Sequence, residues 1–281
     1  MTKEFLFSIN SWIFGGASIE DMVKEAKKLD VAGLDISGEP DAIEVKRVKT
    51  ALDKYGIKAT CINGNFTEEA RAFCHNDQHM RKLAVEYGKR CVNMAEELGA
   101  PIVLMVPSQV NGREYYNSKE ADWELSVESL RSVALYAKEK GIMIALEAVN
   151  KYEVMLVRTL KDAIKMAKDI GLPNVGVTGD TFHMNIEEEK GVHNAIRNAE
   201  EWLIHIHIAD NTREVPGRGC LNWREIFIAL DDIGYNGAVS FEPLPGKLTI
   251  EEIFAGGLGM EDLSAQLKFS INYLKSVIKS V

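Results

Sequence analysis

Residues 142–185, IMIALEAVNKYEVMLVRTLKDAIKMAKDIGLPNVGVTGDTFHMN, decide the fold. The stretch opens on MIALEAV (143–149), an almost continuous apolar run. A strand with one wet face alternates apolar and polar residues, whereas a strand covered on both faces reads as continuous apolar sequence. TLKDAIKMAKDIG (159–171) follows, with apolar residues at helical spacing, Thr159 where an N-cap belongs and Gly171 where a helix stops. The next short apolar run, Val175–Thr178, comes at once, so the unit reads strand, helix, parallel strand.

The same rhythm extends in both directions. Strands are predicted at Phe5–Ile9, Gly33–Ser37, Lys58–Asn63, Ile102–Val106, Met143–Val149, Val175–Thr178, Leu203–Ile208 and Ala238–Phe241. Between them lie helical stretches such as SIEDMVKEAKKL, HMRKLAVEYGKRCVNMAEELGA and NWREIFIALDDIG. Ser18 and Asn222 occupy N-cap positions, and Gly56, Gly99, Gly141 and Gly234 are further stops. Strict alternation of eight strands with eight helices predicts an α/β fold, a single (β/α)8 TIM barrel over residues 1–281 taken as one domain. A doubly wound open sheet alternates too, but eight units that close on themselves fit this length better, since such barrels run to roughly 250 residues. No linker-like or low-complexity tract divides the chain.

Composition narrows the function classes. A net charge of −9 argues against nucleic acid or an anionic membrane as partner, because both demand a basic face. Four cysteines, Cys61, Cys74, Cys91 and Cys220, form no CxxC pair, which suits a reducing cytosol. The N-terminal apolar run is too short for a signal peptide and no stretch is long enough to span a bilayer, so a soluble, cytoplasmic protein is expected.

Barrel active sites lie at the C-terminal ends of the strands. There, strand five ends in Glu147, strand six runs into Asp180, strand seven ends in His207 and strand eight in Glu242. Taken alone, each acidic residue reads more readily as a helix cap or a solvated charge, and a single histidine as a packed one. Four in register on consecutive strands form a candidate site for a divalent ion of the Mn2+, Co2+ or Mg2+ type, since a structural zinc site favours cysteine or more histidine. His205 and His207 are expected to face opposite ways, one into the barrel and one outward beneath a helix.

The segments EAVNKYE (147–153), DTFHMNIE (180–187), HIHIADNTR (205–213) with PGRG (216–219), and FEP (241–243) resemble the D-tagatose/D-psicose (ketose) 3-epimerase family of the xylose isomerase-like TIM barrel superfamily. The resemblance covers about residues 142–245; the N-terminal half matches only in its strand–helix rhythm. It implies that Glu147, Asp180, His207 and Glu242 bind one divalent metal, usually manganese, with cobalt or magnesium as alternatives. It further implies that His183, Arg213 and Glu153 hold a small sugar, and that the chain forms a homo-oligomer, a dimer or tetramer.

The chemistry can be argued without the resemblance. Epimerising a ketose at C3 removes a weakly acidic proton next to the C2 carbonyl and returns one to the opposite face. A cation near O2 and O3 stabilises the enediolate, and two carboxylates on opposite sides of the sugar exchange the proton. Glu147 and Glu242, three strands apart, are the natural catalytic pair. Phe7, Asn10, Trp12, Cys61, Asn63 and Pro107 are candidates for the wall at the sugar's far end, Arg218 for a phosphate or carboxylate contact or else a surface charge, and Gly179 for extra room beside the substrate. The segment Gly246–Met260 is a candidate cover over the site or a subunit contact.

Aldose–ketose isomerases of the hydroxypyruvate or xylose type, and inosose dehydratases, use the same metal and enediolate logic, so the ligand set does not separate them. DTFHMN together with Arg213 favours the 3-epimerase. A DNA-repair endonuclease would need a histidine-rich multi-zinc site and a basic face, and a non-catalytic sugar binder would have lost a ligand or a carboxylate.

Overall fold

Eight short strands, most of them apolar on both faces, stay dry only when closed into a ring with helices wrapped around it. The computed structural model, which describes residues 4–112, 114–244, 248, 249, 252, 253, 255 and 258–280, shows this arrangement. The strands are β1 (Leu6–Asn10), β2 (Gly33–Gly38), β3 (Lys58–Gly64), β4 (Ile102–Met105), β5 (Met143–Glu147), β6 (Val175–Asp180), β7 (Leu203–Ile208) and β8 (Ala238–Phe241). Each pairs in parallel with the next, and β8 pairs with β1 to close the barrel. The helices are α1 (Ile19–Lys28), α2 (Val45–Tyr55), α3 (Gln78–Leu98), α4 (Lys119–Glu139), α5 (Leu160–Ile170), α6 (Thr181–Glu187), α7 (Val192–Ala199), α8 (Trp223–Asp232) and α9 (Met260–Ile278).

Local chemistry sets the element ends as predicted. Ser18, Thr159 and Asn222 each accept a backbone N–H in the first turn of the following helix, and Thr159 with Asp162 forms a full capping box. The five glycine stops all have left-handed φ. At Gly99, φ is 72° and a Cβ would meet open space, so conformation and not crowding selects glycine there.

The link between β6 and β7 departs from strict alternation, because it carries two helices. β6 extends two residues beyond its predicted end, since Gly179 and Asp180 still pair with Ile206 and His207 of β7. Asp180 then caps α6, accepting from Phe182 N and His183 N. β5 stops at Glu147, two residues short of its predicted end.

The two histidines of β7 do not face opposite ways. Residues two apart on a strand share a face, and both imidazoles turn into the barrel, where His205 Nε2 lies 2.8 Å and His207 Nε2 3.3 Å from Asp35 Oδ2. Two wall candidates also change place. Phe7 faces the helix layer, its ring 6.5 Å from that of Phe227 on α8. A Cβ on Gly179 would touch Met184, Leu160 and Leu203, so this glycine fits the strand under its helices and adds no room beside a substrate. Of the segment 246–260, residues 246, 247, 250, 251, 254, 256 and 257 lie outside the described residues.

Candidate active site

Four side chains converge at the C-terminal mouth of the barrel. Glu147 closes β5, Asp180 closes β6, His207 projects from β7, and Glu242 follows β8 with its N–H donated to Ile208 O. One ligand atom from each lies within 4.8 Å of those of the others, and all four residues are buried. His207 Nδ1 stands 2.9 Å from Glu242 Oε2 and 3.2 Å from Glu147 Oε1.

Several polar atoms at this cluster are buried without a hydrogen-bond partner. Glu147 Oε1, Asp180 Oδ2 and His207 Nδ1 are buried with no hydrogen-bond partner. Buried polar atoms are almost always satisfied, and leaving one orphaned is costly. Carboxylate oxygens facing one another with no donor between them are what a cation resolves. Three oxygens and one imidazole nitrogen form a mainly hard donor set that fits a divalent ion of the magnesium–manganese–cobalt group.

The two glutamates are held differently. Glu242 Oε1 accepts from Asn10 Nδ2 at 2.7 Å, Trp12 Nε1 at 2.8 Å and Asn63 Nδ2 at 3.2 Å. Burial alone would raise its pKa, but the charge and contact of His207, with Arg213 and Trp12, bring it down to about 2. Glu147 has no comparable set of donors, and burial pushes its pKa up against the opposing pull of His207. Asp180 is pushed well up by burial and by the charges of Glu242 and Glu147. Burial disfavours a charged His207, yet Glu242, Asp35 and Glu147 around it hold its pKa well above the usual histidine range.

A second group lines the same cavity, which encloses about 790 Å3. His183 sits on α6, three residues after Asp180, and its Nδ1 is 2.7 Å from Asn150 Nδ2. An amide N–H at Nδ1 makes that nitrogen the acceptor, so the ring carries its proton on Nε2. Burial, and then the charge of Arg213, hold the pKa of His183 well below the ordinary value and keep the ring neutral. Asn150 also donates to Glu153 Oε1 at 2.8 Å. Arg213 Nη1 lies 3.4 Å from the same oxygen, while its guanidinium stacks 4.9 Å over Phe182 and its Nε is buried without a partner.

Arg213 adopts a left-handed backbone, φ 62°, unusual for a residue with a side chain. Asp210 holds the turn: its carboxylate accepts from Asn211 N, Gly217 N, Leu221 N and Trp223 Nε1, while its carbonyl accepts from Arg213 N. Leu244 N closes the loop from the β8 side by donating to Arg213 O.

All seven predicted site residues therefore meet at one mouth. Three wall candidates turn out to serve Glu242, since Asn10, Trp12 and Asn63 are its donors. Cys61 is fully buried, and Pro107 contributes its carbonyl to Ser126 Oγ. Arg218 is exposed, its guanidinium lies 4.5 Å over Phe269 of α9, and it is not among the residues that line the cavity. Sequence reasoning missed Asp35, Asn150 and Asp210, although GLD on β2, EAVN after β5 and HIAD after β7 each place a polar residue in or beside an apolar strand.

The family model of the xylose isomerase-like TIM barrel matches residues 23–259, and the chain belongs to that family. Within it the chain belongs with the ketose 3-epimerases. It is 47% identical over 227 residues to the D-psicose 3-epimerase of Ruminiclostridium cellulolyticum, covering 79% of this chain and 76% of that one. A crystal structure of D-psicose 3-epimerase with D-tagatose from Clostridium cellulolyticum H10 superposes with a TM-score of 0.87 over 98% of this chain and 99% of that chain, at 28% identity. The 3-dehydro-D-guloside 4-epimerase of Escherichia coli is 28% identical over 244 residues, 84% of this chain and 89% of that one.

Proposed function

We propose that the protein is an isomerase that interconverts ketoses epimeric at C3, using one divalent ion, manganese by choice, held by Glu147, Asp180, His207 and Glu242. The observation that carries the reading is the pair Glu147 and Glu242, facing one cavity from strands three apart, one gripped by three donors and the other by none. A divalent ion bound there supplies positive charge beside the O2 and O3 of the sugar, where the enediolate's charge develops.

The remaining work falls to the chain. Glu242, kept ionised by Asn10, Trp12 and Asn63, accepts the C3 proton from one face. Glu147, on the opposite side and without such a set of donors, returns a proton from the other face. In the reverse direction the roles exchange. Neutral His183 donates its Nε2–H to a sugar oxygen, and the unpartnered Nε–H of Arg213 gives a second donor, with Glu153 accepting from a hydroxyl. The alternatives on the same site, an aldose–ketose isomerase or an inosose dehydratase, require the proton to travel to C1 or a hydroxyl to leave, and the similarity to 3-epimerases favours C3.

The proposal includes a cytoplasmic setting, suited by four cysteines that are all free, and a dimer or tetramer. Tyr152, 72% exposed on the loop after β5, supports a subunit contact there, which sedimentation of wild type and Tyr152→Ser would read. Among the described residues no helix is long and apolar enough to cross a membrane.

The test is incubation of the manganese-loaded protein with a ketose panel in D2O, read by NMR. Loss of C3–H with appearance of the C3 epimer, abolished in Glu147→Gln and in Glu242→Gln, is expected. Exchange at C1 with an aldose appearing would make the protein an aldose–ketose isomerase. Exchange at C4 of a 3-dehydro glycoside would move the reaction by one carbon.

A further inference from the structure

Beneath the four converging ligands, the barrel holds a second polar layer that the proposed chemistry does not use. Asp35 of β2 is completely buried. Its Oδ1 accepts from Thr60 Oγ1 at 2.6 Å and from Ser8 Oγ at 3.2 Å. Its Oδ2 faces the Nε2 atoms of His205 at 2.8 Å and His207 at 3.3 Å. TIM-barrel interiors are ordinarily packed with branched apolar side chains, so a carboxylate at this depth needs a reason to be there.

We infer that Asp35 is a positioning residue for the metal ligand His207, fixing which imidazole nitrogen faces the metal cluster and the angle at which it does so. An imidazole offers two nitrogens, and the one that meets the cluster must carry a lone pair. A carboxylate oxygen can only accept, so at Nε2 it selects the tautomer with hydrogen on Nε2 and the lone pair on Nδ1. Nδ1 is the atom that faces Glu242 Oε2 and Glu147 Oε1 across the cluster. Ligand histidines commonly hand their second nitrogen to such an acceptor, which orients the ring and strengthens it as a ligand. Thr60 and Ser8 hold the opposite oxygen, so the carboxylate cannot swing away from the two rings. His205 shares Oδ2 and so props the same carboxylate; it is not one of the four ligands at the mouth, although its ligand atom lies within 4.8 Å of those of Asp35 and His207.

The inference rests on the metal reading of the site, and the experiment separates the two. Metal content and affinity are measured by titration with Mn2+ against a competing chelator for wild type, Asp35→Ala and Asp35→Asn, with folding followed by circular dichroism. Wild type is expected to bind one ion per chain; no binding by wild type would sink the metal reading itself. Asp35→Ala is expected to bind at least about tenfold more weakly, with activity returning as the metal concentration is raised. The isosteric Asp35→Asn, which keeps one accepting oxygen, should lose less. In Mg2+-loaded, 15N-histidine-labelled protein, the exchange-protected His207 Nε2–H resonance should disappear in Asp35→Ala and move in Asp35→Asn. Unchanged affinity and an unchanged resonance in the folded variants would overturn the inference, and if Asp35→Ala does not fold, Asp35→Asn alone decides. Two ions per wild-type chain, with one lost in either variant, would also overturn it, because Asp35 would then be a ligand of a second ion.

Discussion

Removing the cation and raising the pH should destabilise this protein, and the size of the effect follows from the cluster. Without a cation, burial and mutual repulsion raise the pKa of Glu147 and of Asp180, and the surrounding carboxylates raise that of His207. The unfolded chain releases its carboxyl protons by about pH 4.5 and its histidine proton near about 6.5. The folded, cation-free chain therefore carries more protons than the unfolded one above pH ~4.5, and its stability must fall as pH rises. Glu242, Asp35 and His183 are shifted down and act the other way; the contribution of the two carboxyls is complete once the pH exceeds that of the unfolded carboxyls, and that of His183 once it passes about 6.5. Each retained proton costs about 1.4 kcal/mol per pH unit, so above pH ~6.5 a single one carried over about two pH units removes about 2.7 kcal/mol, and two remove twice that. Against a typical total of about 5–15 kcal/mol the loss is large. A bound cation expels those protons, so metal affinity should climb about tenfold per pH unit for each proton displaced. Urea unfolding at fixed ionic strength, with a chelator and again with saturating Mn2+, reads both. The chelated protein should lose stability with pH while the loaded protein holds or gains. Equal or greater stability of the chelated protein at the higher pH would refute the reasoning.

Three substitutions probe the supports around the cluster. Trp12→Phe deletes one of the three donors on Glu242 and should lower kcat/KM by roughly 10- to 100-fold, as expected of a hydrogen bond to a charged group, with metal binding kept; an unchanged rate would mean the grip on Glu242 is idle. Asn150→Ala frees both His183 and Glu153 and should raise KM for the ketose about tenfold or more, leaving metal affinity in titrations as it was. Gly219→Ala places a Cβ 2.2 Å from both Asp210 Oδ1 and Asn211 Oδ1, so Asp210 must yield. Overpacking of roughly 1–3 kcal/mol should lower Tm in calorimetry and depress kcat/KM together, because Arg213 rides on the loop that Asp210 holds.

The barrel was legible because its signals are local. An apolar run, a cap, a helical stripe and a glycine stop each act within a dozen residues, and Thr159 to Gly171 shows all of them. The four converging ligands were legible because barrel geometry turns strand ends into neighbours, so Glu147, Asp180, His207 and Glu242 needed only their strands to be found. What the sequence hid lies across the ring or depends on facing. Asn10, Trp12 and Asn63 are separated from Glu242 by 179 residues or more, and no spacing rule joins them. Asp35 meets His205 and His207 from across the barrel. The histidine pair could have been read correctly, since a period of two puts both on one face, and HIHIAD then announces a polar barrel interior. Gly179 failed for the same reason: with Asp180 pointing in, its neighbour must point at the helices.

The arrangement answers a conflict built into this kind of site. Glu147 and Glu242 are asked to hold a cation, which favours their ionised forms, and to exchange protons with a carbon acid, which needs one of them protonated at a time. Identical surroundings would give both carboxyls the same proton affinity and no direction to the transfer. Three N–H donors on one oxygen of Glu242, against an orphaned oxygen on Glu147, break that symmetry without using the metal at all. The donors come from β1, the turn that follows it and β3, while Glu147 sits on β5 beyond their reach. The asymmetry is thus a property of where the strands stand around the ring, and it should persist whichever divalent ion occupies the cluster.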